Sequence, residues 1–344
     1  MKNSSEKIIA GKDTGEGIDL RPIANEIVRK TIQRMKLAHK ESQKQPTVLV
    51  LGEQHQTASH MVVQMLVLKK LKESNVNFVI GTEDEHNFIS EVFDHYTQRK
   101  VTGSARKHVS KKIADNDMDG KHSLSAFIGI HSEPGADLSH KTLYSFILNS
   151  GISTKFNDAV TKWDSYNLDM NDKITNKITK KIINTKKPID ATKPNGMYAR
   201  NSIMVHHALS HAEANKAKLY VQICGTSHVL GDFDDKAPYR QSLTALFKKA
   251  ACPVVAAQLS YLAIRTPNNA HKSLSKNEVI WGIDSPNNTF VGSDNPDEKE
   301  FLRKTLKASG LDPEICELND EIKAHRTKMH KVFGRWKSAA KKQI

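Results

Sequence analysis

Residues Thr47 to Glu83 read TVLVLGEQHQTASHMVVQMLVLKKLKESNVNFVIGTE. The opening TVLVLGE is short, continuous and apolar, the pattern of a strand buried on both faces. It stops at Gly52, and Glu53 and His55 follow at once. The stretch SHMVVQMLVLKKLKESN then carries Met61, Met65, Leu66, Leu68 and Leu71, which predicts an amphipathic helix facing a core. VNFVIGTEDE reads as a second buried strand. Strand, helix and strand at this spacing predict a βαβ unit, hence a parallel pair with the helix over one face.

The same alternation extends in both directions. RPIANEIVRKTIQRMKLAHKE places Ile23, Ile27, Val28, Ile32 and Met35 at helical spacing, with Pro22 suited to a first turn. NGMYARNSIMVHHALSHAEA reads as a helix, KLYVQICGTSH as a strand, YRQSLTALFKKAA as a helix, and CPVVAAQLSY and EVIWGI as strands. The expected fold class is α/β, a mainly parallel central β-sheet flanked by helices. Residues from about 99 to 194 are poorer in apolar side chains and read as a largely helical insertion rich in Lys and Asn. The expected organisation is an N-terminal extension and helix over 1–44, the α/β domain over 45–313 and a basic C-terminal helix over 314–344. The first twenty residues read as a polar extension.

Composition excludes some classes. Three cysteines, Cys224, Cys252 and Cys316, are widely spaced and form no CxxC pair, so neither a disulfide framework nor a zinc knuckle is indicated. No apolar run reaches membrane-spanning length, and the N-terminus has no apolar core of a Sec signal. The expectation is a cytoplasmic protein, with export by a non-Sec route left open. The net charge is +14 in 344 residues, yet aromatics make up only 6%, and no nucleic-acid motif is present. The charge points to acidic surfaces in general and not to sequence-specific nucleic acid.

Functional groups of a parallel α/β sheet gather beyond the carboxyl ends of its strands. Three expected strands end in reactive residues: Glu53 and His55, then Glu83 with Asp84 and Glu85, then Ser227 and His228. Alternation puts Glu53 and His55 on one side, and the glycines at 52, 81 and 225 permit a sharp turn beside the site. The competing reading makes these turn and capping residues, with Thr57 or Ser59 capping the next helix. On the helix before the third strand, Arg200, Met204, His207 and His211 share one stripe. An arginine there needs an anion, which Glu53 or Glu83 supplies. His207 and His211 have the i, i+4 spacing of a metal clamp, although half-buried structural histidines share that spacing.

At these residues a family resemblance emerges. The Thr47–Glu83 stretch resembles the opening βαβ of ChaN-like proteins, in the superfamily that also holds erythromycin esterases and Tiki/TraB proteins. That group's pattern is GExH, a glutamate after the second strand, R-[DN]-x-x-M and G-x-x-H. Here these are Gly52-Glu53-Gln54-His55, Glu83, Arg200-Asn201 with Met204, and Gly225 to His228. The match covers about 47–83 and 197–231. It departs at Val205, where the family has a small alanine, and at Gln56, where Asp or Gly is usual.

The resemblance implies a site at the strand ends and leaves the activity divided. A hydrolase acting on an ester or amide, small-molecule or peptide, would use His55 to activate water and Glu53 to orient it. His228, Arg200 and Glu83 would then stabilise the oxyanion or bind a metal. Tiki-like members imply a divalent metal, for which His55, His228, Glu83 and, less directly, His207 are the ligands to consider. ChaN-like members imply haem, with Tyr198, Tyr220 and the histidines as axial candidates.

A bacterial host-directed effector is a third reading. KITNKITKKIINTKK spaces Ile174, Ile178 and Ile182 among lysines, and the tail does likewise with Ile322, Met329, Phe333 and Trp336. Such helices lie on anionic membranes or simply pack one face on a core. DNDMDGKHSLSA has Asp115, Asp117, Asp119 and Gly120 of a calcium loop, but Ala126 where the bidentate glutamate belongs. Cys224, inside an expected strand, reads as a buried apolar residue.

Overall fold

The computed structural model describes residues 8–54, 57–85, 143, 146–147, 149–162, 165–183, 187–231, 239–260, 279–283 and 296–313. In chain order its elements begin with β1 (Ile8–Ala10), β2 (Lys12–Asp13), β3 (Ile18–Asp19) and α1 (Arg21–Lys40). Next come β4 (Thr47–Glu53), α2 (Ala58–Glu73), β5 (Phe78–Glu85), β6 (Thr154–Asp158), β7 (Thr161–Lys162) and β8 (Asn167–Leu168). The remainder are α3 (Lys173–Ile182), α4 (Pro194–Ala214), β9 (Leu219–Gly225), α5 (Thr226–Leu230), α6 (Leu243–Lys249), β10 (Val254–Ser260), β11 (Val279–Ile283) and α7 (Pro296–Ala308). Helices flank a parallel sheet, so the chain is α/β as its patterning predicts.

The sheet order is β1-β11-β10-β4-β9-β5-β6, with every pairing parallel. β4 and β5 are therefore parallel but not neighbours. β9 enters between them, pairing Gly52 with Cys224 on one side and Thr82 with Ile223 on the other. Local spacing sets strand direction, whereas order depends on which distant strand best fills the central slot. Every residue of β4 and of β9 is buried, which suits that place.

Two cores result from strand alternation. Leu49, Leu51, Val221 and Ile223 face α1 and α2, while Val48, Val50, Tyr220 and Cys224 face α4 and α6. α2 is buried nearly all round: Met61, Val62, Met65, Val67 and Leu68 all lie inside, so its expected polar face is confined to the final turn. Each such side chain contributes roughly 1.5–3 kcal/mol on leaving water.

The structure differs from the sequence reading at two further segments. Ile8–Ala10, expected to be a polar extension, pairs with β11, and Ile18 and Leu20 are buried. Thr154–Asp158, expected to lie in a helical insertion, is a strand of the sheet, followed by the β7–β8 hairpin. Its apolar content is low although it is largely buried, because Thr154, Asn157 and Asp158 are hydrogen-bonded inside and need no apolar side chain there. α3 does form, capped by Asp172. Its Ile178 packs into a small cluster with Leu168, Ile189 and Ile203. The acidic stretch 115–126 and the tail 314–344 lie outside the described residues. No described helix is long and apolar enough to cross a membrane.

Candidate functional site

β4 and β9 lie side by side, yet their onward connections diverge. β4 continues through α2 to β5, and β9 continues through α6 to β10, with the two helices on opposite faces. In open α/β sheets, functional groups gather at such a switch point, beyond the carboxyl ends of the strands. Glu53 ends β4 there, in register with Gly225 of β9.

The strand β9 stops at Gly225, and Thr226–Leu230 coil into a helical turn that folds back over the sheet. His228 therefore sits on a helical turn and not at an extended strand end. The fold-back buries it to 1% exposure. Its Nε2 lies 2.8 Å from Glu83 Oε1, and its Nδ1 lies 2.5 Å from Asn201 Oδ1. Asn201 Nδ2 donates to the Gln241 carbonyl at 2.7 Å, which turns Oδ1 towards the ring. Both ring nitrogens thus face oxygen atoms, Nε2 that of Glu83 and Nδ1 that of Asn201.

Glu83 is the centre of the group. Besides His228, its Oε1 accepts from Arg200 Nη2 at 2.9 Å, and its Oε2 accepts from the Gly225 N–H at 2.5 Å. Arg200 reaches it from the first half of α4 and also binds Asp158, donating from Nε at 3.1 and 3.2 Å and again from Nη2. Burial works against the guanidinium charge, and Asp158 and Glu83 more than offset it, so its pKa rises above the usual value. Arg200 Nη1 has only the Met197 thioether as acceptor among the described residues, at 3.4 Å. That leaves a charged donor for something else, because sulfur accepts weakly.

Glu53 is held from the other face of the sheet. It is 2% exposed and accepts a hydrogen bond from Gln64 Nε2 of α2. Cys224 lies where the two faces meet in charge. Burial pushes its thiol well above the ordinary range, and Glu83, Glu53 and Asp158 push the same way. It is a buried core residue, as its place in a strand implies.

The sequence-predicted set is therefore partly assembled. Glu83, Arg200 and His228 converge, Glu53 flanks them from the α2 face, and His55 lies outside the described residues. Asp158, Asn201 and Gln64 make further contacts with this group. Asn201 was visible only as a member of the RNSIM motif, and Asp158 and Gln64 carried no signal of their own. The cap expected at Thr57 makes no side-chain bond; instead His60 Nδ1 accepts the Gln54 N–H at 3.0 Å and holds the loop entrance.

Gly52 and Gly81 turn nothing, since both sit inside strands. They admit close neighbours: Val229 of α5 rests where a Gly52 Cβ would be, and Tyr220 Oη where a Gly81 Cβ would be.

His211 does not join His207 in a clamp near the site. It lies about 16 Å along α4 from Arg200 by helical rise, beside Ser153 at the amino end of β6. Burial, then Lys155, lowers its pKa to about 4. His207 is buried, its ring centroid 5.7 Å from that of His206. Among the described residues no three His, Cys, Asp or Glu side chains come together as a metal-ligand set. Glu83 and His228 are potential ligands but face each other, so a metal there requires donors beyond this group. Tyr220 is fully buried, with its hydroxyl taken by Asn157 at 2.9 Å, and offers no open axial position to haem. Tyr198 is part-buried against the α4-face core.

No protein-family model matches the chain, and neither a curated protein nor a solved structure does.

Proposed function

We propose that this protein is a hydrolase of the erythromycin esterase/Tiki-like type, acting on an ester or amide at the carboxyl edge of the sheet, where Glu83 and Arg200 meet. The observation that carries the reading is the 2.8 Å contact between His228 Nε2 and Glu83 Oε1 at the carboxyl edge of a parallel sheet. A carboxylate backed by an imidazole can take a proton from water and return it to a leaving group, and Glu83 is the more exposed of the two. Asn201 orients the ring from behind, and Arg200 together with the Gly225 N–H holds Glu83 in place. Arg200 Nη1 is the donor suited to a developing oxyanion. His55, two residues after Glu53, is a further base on resemblance alone, with Glu53 as its positioning carboxylate.

The test is hydrolysis of p-nitrophenyl esters and arylamides by the wild type, His228→Gln and Glu83→Gln. The reading expects turnover in the wild type and a loss of about 100-fold or more in kcat for each variant. Turnover of the same substrate that survives both substitutions would overturn it.

A further inference from the structure

The opposite edge of the sheet carries a second feature. β4, β5 and β9 begin at Thr47, Phe78 and Leu219, while α1 runs on to Lys40 and α4 to Ala214. These helices belong to opposite faces, so their ends bracket the amino edge of the sheet. Between them lies a trough of about 840 Å³, within the usual range for small-molecule sites.

Its floor is apolar. Ile32 and Met35 come from α1, Val76 from the entry to β5, and Leu209 from α4. The first three pack against one core and Leu209 against the other, so the floor is the seam where the two cores meet water. Its rim is basic. Lys36, Lys44, Lys216 and Lys218 line it from three segments, against the single carboxylate of Glu213. Lys72 caps the Ser150 carbonyl at 2.6 Å, whereas none of the four rim ammonium groups is paired among the described residues. Among the described residues His39 is the one aromatic ring lining the trough, so successive nucleobases find no row of stacking platforms there.

An apolar floor beneath unpaired cations matches a ligand with an apolar body and one anionic head. We propose that this trough binds a single-chain anionic amphiphile of the fatty-acid class, the acyl chain along Ile32, Met35 and Leu209 and the carboxylate among the lysines. Snorkelling lysine stems lengthen the apolar wall while their heads stay in water.

Isothermal titration with oleate below its micelle concentration tests this, using the full chain and the double variant Lys36→Glu/Lys216→Glu. Both lysines are exposed, so the fold tolerates the exchange; circular dichroism verifies it. Expected are saturable binding to the wild type and affinity weakened at least about tenfold in the variant. Oleyl alcohol, which keeps the chain and lacks the charge, binds at least about tenfold more weakly than oleate to the wild type. Absence of saturable oleate binding, equal binding by the double variant, or binding to phosphatidylglycerol vesicles without binding to free oleate each overturns the proposal.

Discussion

Glu83 Oε1 lies 2.8 Å from His228 Nε2 and accepts from Arg200 Nη2 at 2.9 Å, while its other oxygen takes the Gly225 N–H. One carboxylate thus ties β5 to α4, to the end of β9 and to the turn that follows it. Replacing it removes one of the two counter-charges of a buried guanidinium as well as the partner of the imidazole. Glu83→Ala is expected to destabilise the protein by about 3–5 kcal/mol. Glu83→Gln keeps the shape and one acceptor and is expected to cost less. Urea denaturation of the two variants checks the order, and a Glu83→Ala no weaker than Glu83→Gln would contradict it.

Asp158 shares Arg200 with Glu83, and nothing in the sequence marked it. Asp158→Asn removes the charge from three contacts with Nε and Nη2. The expected loss is about 1.5–3 kcal/mol of stability. On a hydrolysed substrate kcat should fall too, because Arg200 then sits less firmly against Glu83. A variant within about 0.5 kcal/mol of wild type would show the contact to be idle.

Gly81 has its own consequence. A Cβ there meets the Tyr220 hydroxyl, with Asn157 Nδ2 at 2.7 Å and Gln222 Oε1 at 2.8 Å. Gly81→Ala should cost about 1–3 kcal/mol through overpacking. Adding Tyr220→Phe removes the nearest atom, so the double variant should lose less than the sum of the two singles. A double-mutant cycle with additive losses would refute the clash.

His211 makes stability depend on pH. Its folded pKa is lowered to about 4 from an ordinary value of 6.5. Between those values the unfolded chain binds a proton that the folded chain refuses, so stability rises with pH across that window. Acidification from pH 6.5 towards 4 should remove at most ~3 kcal/mol through this group, less in practice because the ring is part-exposed. His211→Gln should flatten that part of the profile. Unfolding free energies at pH 7 and 4.5 for both proteins give the difference, and parallel profiles would dismiss the effect.

Much of the fold is legible in local pattern. The apolar runs at 47–51 and 219–224, the helical spacing at 23–35 and the polar strand ends follow from side-chain periodicity, which needs only neighbours in the chain. Glu83, Arg200 and His228 stand out because charge at the end of a buried strand, or on the core stripe of a helix, demands a partner. Local pattern does not contain the partner's identity or the strand order. The insertion of β9 between β4 and β5, the recruitment of Ile8–Ala10 and Thr154–Asp158 to the sheet, and the turn carrying His228 inward all depend on contacts between residues far apart in sequence. So do the bonds of Asp158 to Arg200 and of Gln64 to Glu53. The sequence by itself determined which residues must be buried and which charges must be answered. Only the tertiary structure decided which groups answer them, because that choice is made by close packing among segments that local propensity never brings together.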